Sequence, residues 1–203
     1  MKWWRIRFKR GCEENYSNAY RLANNLLEAG FKVGRLVKLK VARDAGLGPG
    51  DFLISIEDAY SERLMKDLGE EYGVDLKPLK TIDQQGVAWL RSPLIGLYSG
   101  KGVSVPYLRE TVEALFNTGF RRISLLPGPL TLEDLNALDV LVVGGGDSFE
   151  MLRSLGREEA KMVRQFIESG GIYVGICAGA LLPLKPVNLP ISAYGEIEAS
   201  SEL

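Results

Sequence analysis

One short stretch, residues 170–180, constrains the fold more than any other part of the chain. It reads GGIYVGICAGA, so an apolar segment runs directly into Cys177, with Gly175 two positions before it and Gly179 two positions after it. At a sharp strand-to-helix turn, side chains at these two positions would collide with the backbone, and both must be very small. The stretch therefore predicts a buried strand at residues 172–174 followed by a nucleophile elbow. A buried cysteine in a glycine-rich turn is the alternative.

The part of the chain around this stretch alternates between strand and helix patterns. Strands are predicted at residues 94–98, 122–126, 139–143 and 172–174. Helices are predicted at residues 107–116, from a cap at Thr131 through residue 138, after a cap at Asp147 or Ser148, and at residues 157–169. Such alternation is typical of an α/β fold with a parallel, doubly wound sheet and right-handed crossovers. Ligands bind such a sheet at the carboxyl ends of its strands.

Three predicted loops lie at that carboxyl edge: residues 99–103, 144–148 and 176–179. We interpret Cys177 as a candidate nucleophile. Lys101, Asp147 and Ser148 are candidate ligand-binding residues in the other two loops. Each of these three has a simpler alternative, because Lys101 fits a solvated loop lysine, and Asp147 or Ser148 fits the N-cap of the next helix.

The residue patterns of this region resemble a known superfamily. The run DVLVVGGGD at residues 139–147, the helix after it and the cysteine stretch are similar to the class I glutamine amidotransferase-like superfamily. Within that superfamily they most resemble the biotin-protein ligase N-terminal-like domain, whose first strand is also matched by LIGLYSG at residues 94–100. The resemblance covers residues 93–203 and implies a flavodoxin-like fold.

The same resemblance implies roles for backbone groups near Cys177. In amidotransferase-like proteins, the glycine loop after the third strand supplies one oxyanion N–H group, which corresponds here to Gly145 or Gly146. The residue after the nucleophile, Ala178, supplies the other. The resemblance does not imply biotin chemistry, because no counterpart of the ligase's own catalytic and ATP-binding module is recognised in this sequence.

The sequence contains no histidine, and this decides what the site is expected to do. A glutaminase of this class needs a histidine to take the thiol proton and deliver it to departing ammonia. We therefore expect a ligand-binding or regulatory domain without glutaminase activity, with a synthetase or ligase as a candidate partner. The alternative is a thiol-dependent hydrolase or amidotransferase whose base comes from a partner chain or from a segment beyond Leu203. If the base lies in a segment beyond Leu203, the sequence is a fragment.

Residues 1–90 are predicted to form a separate small α/β module, joined to the second domain near residues 91–93. Strands are expected at residues 4–8, 31–41, 52–56 and 74–79, a turn at residues 46–50, and helices at residues 19–29 and 61–72. Ser17 or Asn18 is the expected cap of the first helix, and Gly30 its stop signal.

The first strand of this module alternates apolar and basic side chains. Such a basic face is expected to be solvated or to meet an acidic neighbour, and nucleic-acid binding is not expected because no such motif supports it.

Composition limits the remaining classes. The hydrophobic and charged fractions, 46% and 25%, are those of an ordinary globular protein. No apolar run is long enough to span a bilayer, and two cysteines do not make a disulfide framework. We expect a cytoplasmic protein that binds a small molecule at the sheet edge, with no metal, cofactor or membrane. A protein partner or a second copy of the chain is a further expectation.

Overall fold

A computed structural model describes residues 2–7, 13–37, 47, 51–80, 82 and 86–183. The chain separates into two compact units. The first consists of Met1–Ser92 together with Leu115–Arg121, and the second of Pro93–Ala114 together with Arg122–Leu203.

In its described residues, the first unit is an antiparallel sheet with two helices. Its elements in chain order are β1 Lys2–Ile6, α1 Glu13–Glu28, β2 Lys32–Leu36, β3 Phe52–Ile56, α2 Ala59–Glu71, β4 Leu76–Leu79 and β5 Val87–Trp89. The strand order is β4-β1-β3-β2-β5, and each neighbouring pair is antiparallel. The first four strands and the two helices follow the βαββαβ order of a ferredoxin-like fold, with β5 added beside β2.

The core of this unit forms because α1 carries apolar residues at helical spacing on one face. Alternate residues of β1 and β3 meet this face, and the shared core is fully buried at Ile6, Leu22, Leu26, Ile54 and Met65. On the other side of β3, Leu53 packs with Leu47 in a smaller cluster. Both sides of β3 are therefore covered, which explains why all five of its residues are buried.

The first helix begins earlier than predicted. Ser17 and Asn18 lie inside α1, which starts at Glu13, so neither residue is its cap. The predicted stop at Gly30 is confirmed. Gly30 has φ +85°, its N–H donates to Leu27 O, and the N–H of Phe31 donates to Leu26 O. This pair of bonds closes a helix at a left-handed residue, a conformation that glycine adopts without a steric penalty.

The basic face predicted for the first strand is partly withdrawn from solvent. β1 pairs with β3 on one side and β4 on the other, and the Arg5 side chain is 16% exposed. Its guanidinium lies 3.9 Å from the buried carboxylate of Asp51. For Arg5, the prediction of an acidic neighbour is confirmed. Residue 8 of the predicted strand lies outside the described residues, as do residues 38–41 of the second strand and, except for Leu47, the turn at residues 46–50.

Strand β5 was not predicted. It is only three residues long, which is too short for a periodic pattern, and it pairs with β2 with Gly34 opposite Trp89. A Cβ atom on Gly34 would lie 2.6 Å from Val87 Cγ1, so the two strands approach closely only because residue 34 is glycine. The Trp89 ring stacks on Trp3 at a centroid distance of 5.9 Å.

The second unit contains a parallel sheet. Its elements within the described residues are β6 Ile95–Tyr98, α3 Val105–Asn117, β7 Ile123–Leu126, α4 Leu132–Asn136, β8 Val140–Val143, α5 Ser148–Glu168, β9 Ile172–Gly175 and α6 Ala178–Leu181. The last three residues of α3 are assigned to the first unit. The strand order is β7-β6-β8-β9, and every pair is parallel. The predicted α/β class and the parallel sheet are confirmed.

Two predicted caps start the helices that follow β7 and β8. Thr131 and Asp134 form a capping box at α4, in which each side chain accepts the other's backbone N–H. Asp147 caps α5. This helix is interrupted at Gly156, where φ is +64°, so the segment after it corresponds to the helix predicted from residue 157. Ile167, at 39% exposed, does not point into the core with Val163 and Phe166.

Strand β9 is not buried as predicted. Ile172 is 56% exposed and Val174 is 40% exposed, although both are large and apolar. Within the described residues, β9 is the last strand of the sheet and pairs only with β8. The side chains of Ile172 and Val174 are exposed at this edge of the sheet, whereas β8, between two strands, is buried at Leu141, Val142 and Val143.

Candidate functional site

The structure places Cys177 in a strained backbone conformation directly after β9. Its φ and ψ are 53° and −114°, and it is the one residue other than glycine with a positive φ among those described. Such conformations cost about 1–3 kcal/mol and persist only where the surrounding structure imposes them. The side chain is exposed, and the residue stands at the N-cap of α6, not within a helix.

The two flanking glycines are required by this turn. A Cβ atom on Gly175 would lie 2.6 Å from Gly179 O and 2.7 Å from Ala180 Cα. A Cβ atom on Gly179 would overlap the carbonyl oxygen of Val143. In both cases the obstacle is backbone, which cannot rotate away as a side chain can. The turn around Cys177 therefore closes only with glycine at both positions, as the sequence argument requires.

The turn is fixed to the end of β8 by two backbone hydrogen bonds. The N–H of Ile176 donates to Val143 O at 2.9 Å, and the N–H of Gly179 donates to Gly144 O at 3.1 Å. In the sheet register, Gly175 is opposite Val143. Cys177 thus lies beside the first residue of the glycine loop at the carboxyl edge of the sheet.

The loop after β6 lies against the same glycine loop. Gly102 O accepts the N–H of Asp147 at 2.8 Å, and Gly145 O accepts the N–H of Ser104 at 3.1 Å. Between these bonds, Val103 and Gly146 form an antiparallel bridge. The structure therefore brings the three predicted loops together, with the glycine loop between the other two.

Several backbone N–H groups in these loops donate to no backbone carbonyl of the described residues, and those of Gly145, Gly146 and Ala178 are among them. For Ala178 this follows from its place as the first residue of α6, because the first N–H groups of a helix have no partner within it. These three N–H groups are the ones that the resemblance assigned to an oxyanion.

The three candidate ligand-binding side chains are placed differently. The carboxylate of Asp147 accepts the N–H groups of Phe149 and Glu150, each at 3.0 Å, and so acts as a helix cap. Ser148 is the first residue of α5 and is half-buried. Lys101 is exposed and contacts no other described side chain. Its backbone is brought to the glycine loop through its neighbour Gly102.

Sequence reasoning missed two side chains beside the glycine loop. A Cβ atom on Gly145 would lie 2.8 Å from Tyr107 Cδ2, so the Tyr107 ring lies against this loop. Thr111, one helical turn later, is buried and donates its hydroxyl hydrogen to Tyr107 O at 2.7 Å. Thr111 is the one buried residue of α3, and no sequence pattern marks a residue at the first turn that faces a loop.

Tyr173 supports the Cys177 turn from β9. Its hydroxyl donates to Gly179 O at 2.7 Å, and burial raises the pKa of this phenol above its ordinary value. The phenol therefore stays protonated and keeps donating up to at least pH 10, the value at which an exposed tyrosine titrates. This hydrogen bond helps to hold the residue that stands two positions after the cysteine.

We expect Tyr173→Phe to lower the free energy of unfolding by about 1 kcal/mol near neutral pH, because the hydrogen bond to Gly179 O is lost. A phenol whose pKa is raised in the folded state stabilises below pH ~10, and this stabilisation is lost as the pH rises further. The difference between wild type and variant should therefore shrink above pH 10. Urea unfolding followed by circular dichroism at pH 7, 9 and 11 measures it. A constant difference would contradict this role of the hydroxyl.

No group of His, Cys, Asp and Glu side chains among the described residues could hold a metal ion. In the same part of the chain, no helix is long and apolar enough to cross a membrane.

Comparison with known families agrees with the sequence patterns. Residues 94–192 match the family model described as "Biotin-protein ligase, N terminal". The matched segment includes all four parallel strands, the glycine loop and Cys177. The predicted resemblance to the biotin-protein ligase N-terminal-like domain is thus confirmed for this segment. No curated protein matches the chain.

Proposed function

We propose that residues 93–203 form an amidotransferase-like domain that binds a small molecule beside Cys177 and does not hydrolyse glutamine. The observation that carries this proposal is the absence of histidine from the sequence that contains this exposed thiol. The domain keeps the architecture that presents a thiol and lacks the residue type that would move its proton. We extend the proposal to a regulatory role through docking to a ligase or synthetase, and the matched family's description, which names a ligase, supports the ligase as the partner.

The topology supports a flavodoxin-like form of this domain. Counted from β6, the strand order of the parallel sheet is 2-1-3-4, which is the beginning of the flavodoxin-like order 2-1-3-4-5. In such sheets the ligand crevice lies where neighbouring strands connect in opposite directions, here between β6 and β8. The loops that follow these two strands are the ones joined by Gly102 and Gly145. Residues 1–90 are proposed as a separate domain, which the division into compact units supports.

The chemistry available at the site fits binding better than turnover. The N–H groups of Gly145, Gly146 and Ala178 are suited to an oxygen atom that carries partial negative charge, such as that of a carbonyl or carboxylate. Hydrolysis of an amide also needs a group that takes the thiol proton and passes it to the leaving nitrogen. Asp147 is already engaged as a helix cap, and Lys101 is exposed to solvent. We therefore propose a ligand with a carbonyl or carboxylate group.

One observation favours the alternative of a thiol enzyme. A positive φ at Cys177 costs free energy, and such strain is concentrated at active sites. In this alternative, the base comes from a partner chain or from a segment beyond Leu203. Both functions place the ligand in the same crevice. They differ only in whether the carbon–nitrogen bond of an amide ligand is broken.

We expect protein of this sequence to release no more ammonia from L-glutamine than its Cys177→Ala variant does, because no histidine is present to complete the reaction. A coupled assay with glutamate dehydrogenase measures the ammonia. Limited labelling with iodoacetamide, followed by peptide mass spectrometry, reports binding in the same samples. L-glutamine or L-glutamate should slow the labelling of Cys177, because the ligand covers the thiol.

Two results would overturn this assignment. Ammonia release that depends on Cys177 would show that another base is present and would favour the thiol enzyme. Labelling of Cys177 that is unchanged by L-glutamine, L-glutamate, acetate and acetamide would show that the crevice does not bind a carbonyl or carboxylate group. The Gly144→Ala variant is a suitable control for labelling, because its added Cβ atom makes only an ordinary contact of 3.5 Å with Thr111 Oγ1.

A further inference from the structure

The first unit contains a cavity that has no part in the site at Cys177. It has a volume of about 290 Å³ and lies where α1 ends, β2 begins, β3 ends and α2 begins. Its lining residues all belong to this unit: Ala29, Gly30, Phe31, Lys32, Ser55, Glu57, Asp58 and Ser61. The volume is near the lower limit for ligand pockets, so it suits a molecule with few heavy atoms.

The charged side chains of the cavity favour a cation. Glu57 and Asp58 contribute two carboxylates, whereas Lys32 contributes one ammonium group, 3.6 Å from the carboxylate of Glu57. Lys32 therefore offsets Glu57, whereas Asp58, the N-cap of α2, has no cationic side chain beside it among the lining residues. Hydrogen bonds from the hydroxyl and the N–H of Ser61 hold the pKa of Asp58 below its ordinary value, so this carboxylate is ionised at neutral pH.

The end of α1 adds to this preference. The carbonyl oxygens of Ala29 and Gly30 accept no hydrogen bond from the described residues. A helix C-terminus carries a partial negative charge, and α1 has no basic residue in its last turn to balance it. Free carbonyl oxygens next to an ionised carboxylate are the acceptors that an ammonium group, with its three donors, requires.

A buried hydroxyl provides an independent sign of a missing ligand. Ser55 lines the cavity and is 6% exposed, and its Oγ has no hydrogen-bond partner within the described part of the chain. A buried hydroxyl without a partner costs free energy, and such groups are uncommon in folded proteins. A serine at this strand position adds nothing to the apolar packing of its neighbours Ile54 and Ile56. A second polar group of a bound molecule would give the hydroxyl a partner.

We propose that this cavity binds a small molecule that carries a primary ammonium group together with a second polar group, such as a diamine or an amino alcohol. Asp58 and the carbonyl oxygens of Ala29 and Gly30 receive the ammonium group. Ser55 pairs with the second polar group. This site is separate from the crevice at Cys177, and its test does not depend on the function proposed there.

The test compares three molecules of equal chain length by isothermal titration calorimetry with the whole protein. The probes are 1,4-diaminobutane, 1,4-butanediol and succinate, which carry positive, zero and negative charge. We expect the diamine to bind and the other two not to bind. Absence of binding by the diamine at millimolar concentration, or equal binding of the diol, would overturn the proposal.

Two variants connect binding to the cavity. Asp58→Asn keeps an N-cap oxygen that accepts the Ser61 N–H, removes the charge and replaces the acceptor of the Ser61 hydroxyl with an amide N–H₂ group, so it should weaken diamine binding at least tenfold. Asp67→Asn removes the same charge from an exposed position of α2 outside the cavity and should leave binding unchanged. If both variants weakened binding equally, the diamine would be attracted by overall charge, and the proposal would fail.

Ser55→Ala separates binding from folding. Because the Ser55 hydroxyl has no hydrogen-bond partner among the described residues, its removal should not lower the melting temperature. It should nevertheless weaken the binding of an amino alcohol such as 4-amino-1-butanol several-fold. Unchanged affinity for this probe would overturn the role of Ser55 and, with it, the second polar group of the proposed ligand.

Discussion

Replacement of Gly179 by alanine is expected to lower the free energy of unfolding of the second unit by about 3 kcal/mol, the upper part of the range for an overpacked site. The added Cβ atom would overlap the carbonyl oxygen of Val143. That oxygen also accepts the N–H of Ile176, so moving it would break a bond that holds the Cys177 turn. The variant is therefore expected to disturb the site as well as the fold.

Gly144→Ala is the matched control, because it adds the same methyl group one residue beyond Val143 with only an ordinary contact. It should change stability by less than about 1 kcal/mol. Far-UV circular dichroism should follow the unfolding, since all three tryptophans, Trp3, Trp4 and Trp89, belong to the first unit and their fluorescence reports on that unit. Equal stability of the two variants would contradict the close approach of the turn to β8.

Replacement of Cys177 by glycine is expected to raise the free energy of unfolding by about 1.5 kcal/mol and to abolish thiol reactivity. Residue 177 has φ 53° and ψ −114°, a conformation that costs any residue with a Cβ atom about 1–3 kcal/mol. Glycine adopts this conformation without the steric cost, although its greater freedom in the unfolded chain reduces the gain in stability by about 0.5–1 kcal/mol. Removing the cysteine should thus stabilise the protein.

Cys177→Ala is the control for this experiment. Alanine removes the thiol and keeps the Cβ atom, so the strain should remain and stability should stay within about 0.5 kcal/mol of wild type. Urea unfolding of the three proteins gives the comparison. If Cys177→Gly were no more stable than Cys177→Ala, the strained backbone would not be an energetic feature of the site.

The parts of the fold that the sequence predicted are those where one local pattern decides the structure. Residues 52–56 are apolar except for Ser55 and form β3 over the predicted bounds, and Gly30 ends α1 through its own φ angle. The predicted start of α1 was wrong because Ser17 and Asn18, although both are residue types that favour the N-cap, lie inside the helix. Strand β5 was missed because Val87–Trp89 is held by its pairing with β2, which no local pattern records.

The candidate site likewise has one part that the sequence predicted and another that it did not. The cysteine, its two glycines and the cap at Asp147 follow from residue types at short spacing. The hydrogen bonds between Gly102 and Asp147, and the position of the Tyr107 ring against Gly145, depend on loops that are distant in sequence. The exposure of Ile172 and Val174 depends on which strand is last in the sheet, and an apolar run alone is compatible with either position.

The steric demands of the Cys177 turn affect how such a motif should be interpreted in genome sequences. Gly175 and Gly179 are needed for the chain to close against β8, whether or not any reaction takes place there. A descendant that had lost its chemistry would still be selected to keep both glycines, because their loss would impair folding. For residue 177, selection for folding acts against the cysteine, since glycine at this position would relieve the backbone strain. A cysteine at this position is therefore the residue of the motif that indicates a function, because selection for folding alone would favour its replacement.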